Sequence, residues 1–244
     1  MSQLKNLIKS RLGAYFDNSI ERGQFVREEL QKIPQGSSIL DAGAGSQRYR
    51  KDCSHLKYFA QDFGQVTVDA QKGFASLTQD YEYGRMDYTC DIVSIPVEDG
   101  KFDAVLCTEV FEHLPDPVKA LAELARILKP GGSLILTVPS NCLRHFDPYF
   151  FYTGFSDRWL DHWLREMGFD IVRFCTEGNY FKWLALELAR AGRQNPLALP
   201  FLLPAFVWFY VKGRKADKEA VSTLCGGYYV VARKRNANKE PSSV

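Results

Sequence analysis

The chain has 244 residues, enough for one large domain or for one domain with a sizeable insertion. Hydrophobic residues make up 45% of it and charged residues 25%, which is the balance of a soluble globular protein. The formal net charge of +2 argues against a protein that mainly neutralises nucleic-acid phosphates, so we expect no nucleic-acid partner.

The cysteines lie far apart, with no CxxC pair and no spacing typical of metal ligands: Cys53, Cys90, Cys107, Cys142, Cys175 and Cys225. Such cysteines are typical of reduced thiols in a cytoplasmic protein, and we expect no metal. Residues 1–16 lack the long apolar segment of a secretory signal peptide. We therefore expect a cytoplasmic location.

The first predicted elements are helices. Apolar residues at helical spacing predict two of them within an N-terminal helical segment, residues 1–36. The pattern is interrupted near Gly13 and at Asp17-Asn18, which separates the two helices.

The stretch 37–49, SSILDAGAGSQRY, predicts a buried strand, a tight turn and the start of a helix near Ser46. Gly43 and Gly45 suit a turn whose backbone takes unusual torsions and comes close to another group. A helix N-terminus facing that turn would favour a nucleotide or nucleoside. An ordinary glycine-rich turn between a strand and a helix is the alternative for this stretch alone.

Two further residues favour a nucleoside without a pyrophosphate. Asp62 closes a second apolar run about twenty residues after the first, where an acidic residue can bind ribose hydroxyls. Arg48 stands where a dinucleotide-binding fingerprint has its third glycine, and its long charged side chain argues against a bound pyrophosphate.

The remaining elements alternate between strands and helices. Strands are predicted at 87–92, 102–107, 133–138, 169–175 and 226–233, and helices at 117–128 and 157–167. The run 102–107 is apolar throughout, as in a central strand buried on both faces. The alternation predicts an α/β protein with a parallel doubly wound sheet.

Four blocks carry a resemblance to a known superfamily: DAGAG at 41–45, Asp62, the segment 90–117 (CDIVSIPVEDGKFDAVLCTEVFEHLPDP) and the segment 124–139 (LARILKPGGSLILTVP). In order and spacing they resemble the class I S-adenosylmethionine-dependent methyltransferases. The resemblance implies a Rossmann-like, mostly parallel sheet with an antiparallel last strand, over a domain at 37–235. It also implies that the N-terminal helices could cover the cofactor or substrate mouth, although they could equally pack on the sheet as edge helices.

The same resemblance implies S-adenosylmethionine as the cofactor and eight residues that bind it: Asp41, Gly43, Gly45, Asp62, Asp91, Ile92, Thr108 and Glu109. Asp41 would orient the glycine turn or the cofactor ammonium group. Asp62 would bind the ribose, and Asp91 with Ile92 would bind the adenine. Thr108 and Glu109 would line the cleft near the reactive sulfur.

Two histidines are candidate catalytic residues. His113 in FEHLPDP could be a general base, although this block resembles one in which the histidine fastens its loop by a hydrogen bond. His145 in RHFDPYFFYTGFS is the second candidate base. That segment resembles a His-x-x-Pro-Tyr segment of methyltransferases of sugar and glycan pathways.

The same segment supplies candidate substrate contacts: Arg144, Tyr149 and Tyr152. Phe150 and Phe151 are predicted to serve packing alone.

The segment 177–221 is predicted to be a helical and apolar insertion, and 236–244 a polar tail. Within the insertion, 197–211 is about fifteen apolar residues with two prolines, which predicts that it cannot span a bilayer. With the basic residues that follow, 197–215 could make a peripheral membrane contact, line a pocket for a lipid-linked substrate or form a dimer interface. Ordinary core packing is the leading interpretation.

These features predict an S-adenosylmethionine-dependent O-methyltransferase that acts on a small-molecule or glycan acceptor, including a lipid-linked one. One alternative is a nicotinamide-dependent oxidoreductase on a similar sheet. Another is a non-catalytic relative that binds S-adenosylmethionine. The oligomeric state is open.

Overall fold

The computed structural model describes residues 18–65, 83–215 and 224–236. The predictions for 1–17 and for the end of the tail lie outside the described residues. The helices are α1 (Asn18–Leu30), α2 (Pro117–Ile127), α3 (Asp157–Glu166), α4 (Tyr180–Gln194) and α5 (Leu199–Lys215). The strands are β1 (Ser38–Ala42), β2 (Lys57–Asp62), β3 (Tyr88–Thr89), β4 (Phe102–Thr108), β5 (Leu128–Pro139), β6 (Phe169–Thr176) and β7 (Gly227–Lys234).

The strands form one seven-stranded sheet in the order β3-β2-β1-β4-β5-β7-β6. The pairs from β3 to β5 are parallel, and β7 runs antiparallel to both of its neighbours. The predicted fold class, a mostly parallel Rossmann-like sheet with an antiparallel last strand, is therefore confirmed. The strand order reverses between β1 and β4, and the carboxyl ends beside that point are where such sheets bind ligands.

Hydrophobic layers cover both faces of the sheet. Helix α2 has a buried apolar stripe that includes Leu121 and Leu124, and its first turn is capped by Asp116, which accepts a hydrogen bond from the backbone N–H of Lys119. On the opposite face, Phe25 and Leu30 of α1 pack into a second buried cluster. Helix α1 thus packs on the sheet, against the interior strands β5 and β7.

Two local predictions are wrong. No α-helix begins near Ser46, because the chain there makes turns and then a short 3-10 helix, Arg50–Cys53. Strand β3 covers only Tyr88–Thr89, since the predicted strand residues after it, including Asp91, lie in a loop.

The insertion differs most from expectation. It forms a hairpin of α4 and α5, joined by a short 3-10 helix (Pro196–Ala198), and no residue of the apolar stretch Pro196–Arg214 is buried. Core packing is therefore the wrong interpretation. The predicted inability to span a bilayer is also wrong by length and composition, because these 19 residues form one sufficiently long and apolar helical stretch. Pro200 sits in the first turn of α5, where proline is tolerated, and the helix continues through Pro204.

Candidate functional site

A cavity of about 550 Å³ opens at the carboxyl ends of β1, β2 and β4. Its walls are formed by Gly43, Gln61, Asp62, Phe63, Gln65, Tyr83, Thr89, Cys90, Asp91, Ile92, Glu109, Val110, His113, Leu114, Pro115, Phe146, Tyr149 and Phe151. Of the predicted cofactor residues, Asp41, Gly45 and Thr108 lie outside this wall. Of the predicted catalytic and substrate residues, His145, Arg144 and Tyr152 lie outside it.

The glycine turn after β1 forms one wall of the cavity. Gly43 has a φ of +72°, and a Cβ placed there would lie 2.4 Å from Cγ2 of Val110, another wall residue. Only glycine combines this backbone conformation with such close packing. The N–H groups of Gly43 and Ala44 both donate to the backbone carbonyl of Gln61, each at 2.9 Å, so the turn is fixed against the end of β2.

Asp62 connects the same turn to the following loop. Its carboxylate accepts hydrogen bonds from the backbone N–H groups of Gly45 and Gly64, both at 3.0 Å. Burial raises its pKa, and these backbone hydrogen bonds oppose that effect. A carboxylate has about four acceptor sites, so Asp62 keeps capacity for ligand hydroxyls on the cavity side.

Asp41 lies behind the turn and not on the cavity wall. It is 3% exposed and accepts a hydrogen bond of 2.6 Å from the hydroxyl of Tyr58. Burial raises its pKa to about 7. The structure thus places Asp41 beneath the turn, in contact with β2.

The other acidic wall residues follow β3 and β4. Asp91 is exposed in the loop after β3 and accepts a hydrogen bond from the N–H of Val93. Glu109 follows β4 with a positive φ of 54°, which is uncommon for a residue with a side chain. Its carboxylate pairs with Arg22 of α1 at 2.8 Å and accepts from Thr137 at 2.9 Å, so α1 also reaches the cavity wall.

The charges on the wall suit a cationic nucleoside ligand. Among the described wall residues, Asp62, Asp91 and Glu109 are carboxylates and none is Lys or Arg. S-adenosylmethionine carries a sulfonium and an ammonium group, and it has no phosphate. The residues present therefore fit this cofactor better than a dinucleotide, for whose pyrophosphate the described wall offers no Lys or Arg.

His113 is fixed on the wall by a contact distant in sequence. Its Nδ1 lies 2.6 Å from the backbone carbonyl of Tyr149, so Nδ1 donates and Nε2 is left with a lone pair. Burial lowers its pKa to about 4, which makes the imidazole neutral near pH 7. The ring of His145 packs edge-on against it, with centroids 4.7 Å apart, and Nδ1 of His145 contacts the carbonyl of Leu143.

Glu112 lies beneath these histidines. It is 1% exposed, and its Oε2 is a buried side-chain oxygen without a hydrogen-bond partner among the described residues. Burial and the nearby Glu109 raise its pKa well above the usual range. Ligand atoms of Glu112, His113 and His145 lie within 4.8 Å of one another, so this trio could hold a divalent cation. The expectation of no metal stays a prediction.

The acceptor side of the cavity is aromatic. Tyr149 contacts Phe63 edge-to-face with ring centroids 5.0 Å apart, and Phe146 and Phe151 complete this wall. The packing role predicted for Phe151 is wrong, since its side chain is 49% exposed and faces the cavity.

Two predicted substrate contacts have other partners. Arg144 is exposed and pairs with Asp147 at 2.7 Å. Tyr152 stacks on Phe155 with ring centroids 5.3 Å apart.

Several wall residues have no motif of their own and were not predicted from the sequence, including Gln61, Phe63, Val110 and Phe146. Gln61 and Phe63 flank the predicted Asp62, and Val110 follows the predicted Glu109. These three could have been predicted as wall residues, because each is next in sequence to an acidic residue at the end of a strand. Phe146 has a positive φ of 56°, which the sequence does not indicate.

Comparisons with known proteins agree with this geometry. Residues 40–136 match the family model of a methyltransferase domain. A ubiquinone biosynthesis O-methyltransferase of Coxiella burnetii is 27% identical over 160 residues, which are 64% of each chain, so the chain spans less than two thirds of that relative. A tRNA (carboxymethyluridine(34)-5-O)-methyltransferase, ALKBH8 of Mus musculus, is 31% identical over 46% of this chain and 16% of its own length.

A solved structure shares the fold. Phosphoethanolamine N-methyltransferase 2 of Haemonchus contortus, in complex with S-adenosyl-L-methionine, has a TM-score of 0.52 and 20% identity, over 88% of this chain and 53% of its own. The family match, the sheet order and the acidic cavity fit one cofactor, S-adenosylmethionine. Residues 40–136 therefore carry a methyltransferase domain on a seven-stranded Rossmann-like sheet, with S-adenosylmethionine as its cofactor.

Proposed function

We propose that the chain methylates a hydroxyl oxygen of a small molecule or glycan, lipid-linked glycans included. The observation that carries this proposal is the position of His113, a neutral imidazole on the cavity wall between the carboxylates and the aromatic residues. When bound, the cofactor supplies a methyl group on a sulfonium, which leaves a neutral thioether. The protein has to align the hydroxyl and to accept its proton.

The cofactor end would be held by residues at the strand ends. Asp62 would accept hydrogen bonds from ribose hydroxyls, and Asp91 would accept from the adenine amino group. Ile92, which is 4% exposed on the wall, would pack against the adenine ring. Glu109, whose carboxylate is held by Arg22 and Thr137, would line the cofactor end beside the turn.

The acceptor end would hold a hydroxyl against His113. Because Nδ1 donates to the carbonyl of Tyr149, Nε2, which lies 3.7 Å from the Glu112 carboxyl, is the nitrogen left to accept the proton of an incoming hydroxyl. The flat faces of Phe146, Tyr149 and Phe151 suit an aromatic ring or the apolar face of a sugar. We assign His145 a positioning role, because it packs behind His113 and lies outside the wall.

Two rival functions are less well supported. A tRNA acceptor, as in the name of the mouse relative, calls for phosphate contacts from Lys or Arg. The described cavity wall has neither, and the net charge is +2. A nicotinamide dinucleotide carries a pyrophosphate, and the described cavity wall has no Lys or Arg to pair with it.

Product analysis tests the proposal. The purified full chain is incubated with S-adenosylmethionine that carries carbon-13 in its methyl group and, separately, with a polyprenylated catechol, a panel of oligosaccharides, an ethanolamine-type amine and unmodified tRNA. We expect a carbon-13 methoxyl signal in a hydroxyl acceptor, and its loss in Asp62→Ala. Methyl transfer to the amine or the tRNA without transfer to any hydroxyl acceptor would overturn the proposal.

A further inference from the structure

Helix α5 exposes an apolar face that the sheet domain does not cover. Seven large apolar side chains of α5 and of the turn before it are 44% or more exposed: Leu197, Leu199, Phe201, Leu203, Val207, Trp208 and Val211. Leu197 and Phe201 are 86% and 83% exposed. A contiguous apolar surface of this kind usually marks an interaction site on a soluble protein.

Helix α5 also packs on α4, and two of the partly exposed residues, Trp208 and Leu199, take part in that packing near the two ends of the hairpin. Phe181 contacts both Trp208 and Phe209, with ring centroids 5.9 and 6.4 Å apart. At the other end of the hairpin, Gly192 lies against Leu199, and a Cβ there would meet its Cδ2 at 2.6 Å. The exposed face therefore belongs to a packed helical hairpin in which the orientation of α5 relative to α4 is defined.

Charge identifies the surface that this face fits. From 188 to 215 the sequence has five basic residues and no acidic one: Arg190, Arg193, Lys212, Arg214 and Lys215. They lie at both ends of the apolar run, and Lys212 sits over the ring of Trp208, 5.8 Å from its centroid. An apolar strip bounded by cations complements the acyl chains and anionic headgroups of a lipid bilayer.

We propose that α5 lies in the headgroup region of an anionic membrane, with its exposed face in the lipid, and anchors the protein there peripherally. A second copy of the chain is a poorer occupant, because a twofold contact through this face would bring its like charges together. A spanning orientation is also disfavoured. It would draw α4 into the hydrocarbon, with Glu187 and Arg190, which pair with each other on that helix. This inference does not depend on the proposed reaction.

Vesicle co-sedimentation of the full chain tests the proposal. We expect binding to vesicles of phosphatidylcholine with phosphatidylglycerol, weak binding to phosphatidylcholine alone, and release as salt rises, because screening shortens the reach of the charges to about 8–10 Å. The double change Phe201→Ser with Trp208→Ser should lower vesicle binding at least about tenfold, since two large apolar side chains leave the lipid. The double change Lys212→Glu with Arg214→Glu should remove the preference for the anionic vesicles.

A matched control separates membrane binding from folding. Val172 on β6 is 61% exposed and lies outside the hairpin, so Val172→Ser should leave vesicle binding unchanged. All variants should keep wild-type affinity for S-adenosylhomocysteine by calorimetry, because the cavity is formed by other elements. An unfolded Phe201→Ser/Trp208→Ser variant would be replaced by Leu203→Ser, a single exposed position on the same face.

Three results would overturn the proposal. One is no binding of the wild-type chain to anionic vesicles at low salt. Another is a stable dimer in solution that the Phe201→Ser/Trp208→Ser change dissociates, without any vesicle binding. The third is retention in the membrane after alkaline carbonate extraction, which would indicate a spanning segment.

Discussion

The two ends of the cavity are built differently. The cofactor end consists of residues at the carboxyl ends of β1, β2 and β4, and backbone hydrogen bonds join its glycine turn to its acidic residues. The acceptor end consists of a loop after β5 that is held by contacts with Glu112 and His113. A sheet fixes the first end, and a few contacts distant in sequence fix the second, so the second can change its specificity without disturbing the fold.

The largest effect is expected at the acceptor end. His113→Asn keeps a side-chain donor for the carbonyl of Tyr149 but removes the Nε2 acceptor, so kcat should fall by roughly 10²–10⁴-fold. Affinity for S-adenosylhomocysteine should stay within about twofold, since the cofactor end is separate. Single-turnover kinetics with the identified acceptor would measure this.

Two histidines serve as controls for that change. His162→Asn on the exposed face of α3 should have no effect, and His145→Asn should have a smaller one, because His145 only packs against His113. If His145→Asn lost more turnover than His113→Asn, the base would be His145, the other candidate that the sequence offers.

A side chain added to the glycine turn should block the cofactor end sterically. Gly43→Ala would place a Cβ at 2.4 Å from Val110 while φ is +72°, so both the turn and the wall must shift. We expect at least about a hundredfold loss of affinity for S-adenosylmethionine, measured by calorimetry. Gly36→Ala is the matched control: its φ of +81° imposes similar backbone strain, but a Cβ there meets nothing within 4 Å. Equal losses in the two variants would show that strain alone, and not the cavity wall, determines the effect.

Asp62→Ala should also weaken cofactor binding at this end, but by a smaller factor. Loss of hydrogen bonds to a charged group is worth about 1.5–3 kcal/mol, or roughly 10- to 100-fold in affinity for both S-adenosylmethionine and S-adenosylhomocysteine. The exposed Asp161→Asn, on α3, is the surface control, and unchanged affinity in Asp62→Ala would remove this residue from the site. Thermal stability should fall as well, because the N–H groups of Gly45 and Gly64 lose their acceptor.

The difference between the two ends also explains how far the sequence could be interpreted. The glycine turn and Asp62 follow from apolar runs that end in a defined residue type, and Asp91 and Glu109 follow from the resemblance to the methyltransferases. The pairing of His113 with the carbonyl of Tyr149 joins positions 36 residues apart, and no local pattern predicts it. The apolar character of 197–211 is evident from the sequence, but whether this segment is buried depends on which other elements of the fold pack against it.

His113 further predicts the pH dependence of the acceptor end. A histidine whose folded pKa is lowered to about 4 is unprotonated at all higher pH values, so it is available as a base, although a weaker one than an ordinary histidine, throughout the neutral range. With saturating cofactor and acceptor, kcat should therefore show no loss from an imidazole between about pH 8 and about pH 5. A fall in kcat with a midpoint near the ordinary histidine value of about 6.5 would contradict this assignment.

The smallest effect concerns Glu112, which supports the acceptor loop through its backbone carbonyl and carries a buried carboxyl. Its folded pKa is raised well above the unfolded value, mainly by burial and then by Glu109. Above the unfolded pKa of about 4.5, the folded protein keeps a proton that the unfolded chain releases, so the free energy of unfolding decreases as pH rises. Glu112→Gln preserves the shape of the neutral acid but has no proton to release, so it should remove this decrease in the free energy of unfolding. Relative to wild type, its stability in urea should rise progressively from about pH 5 to about pH 8, with the exposed Glu166→Gln as the surface control. A Glu112→Gln protein that is less stable than wild type at about pH 8 would show instead that the carboxylate is charged and paired in the folded state, as binding of a cation by Glu112, His113 and His145 would require.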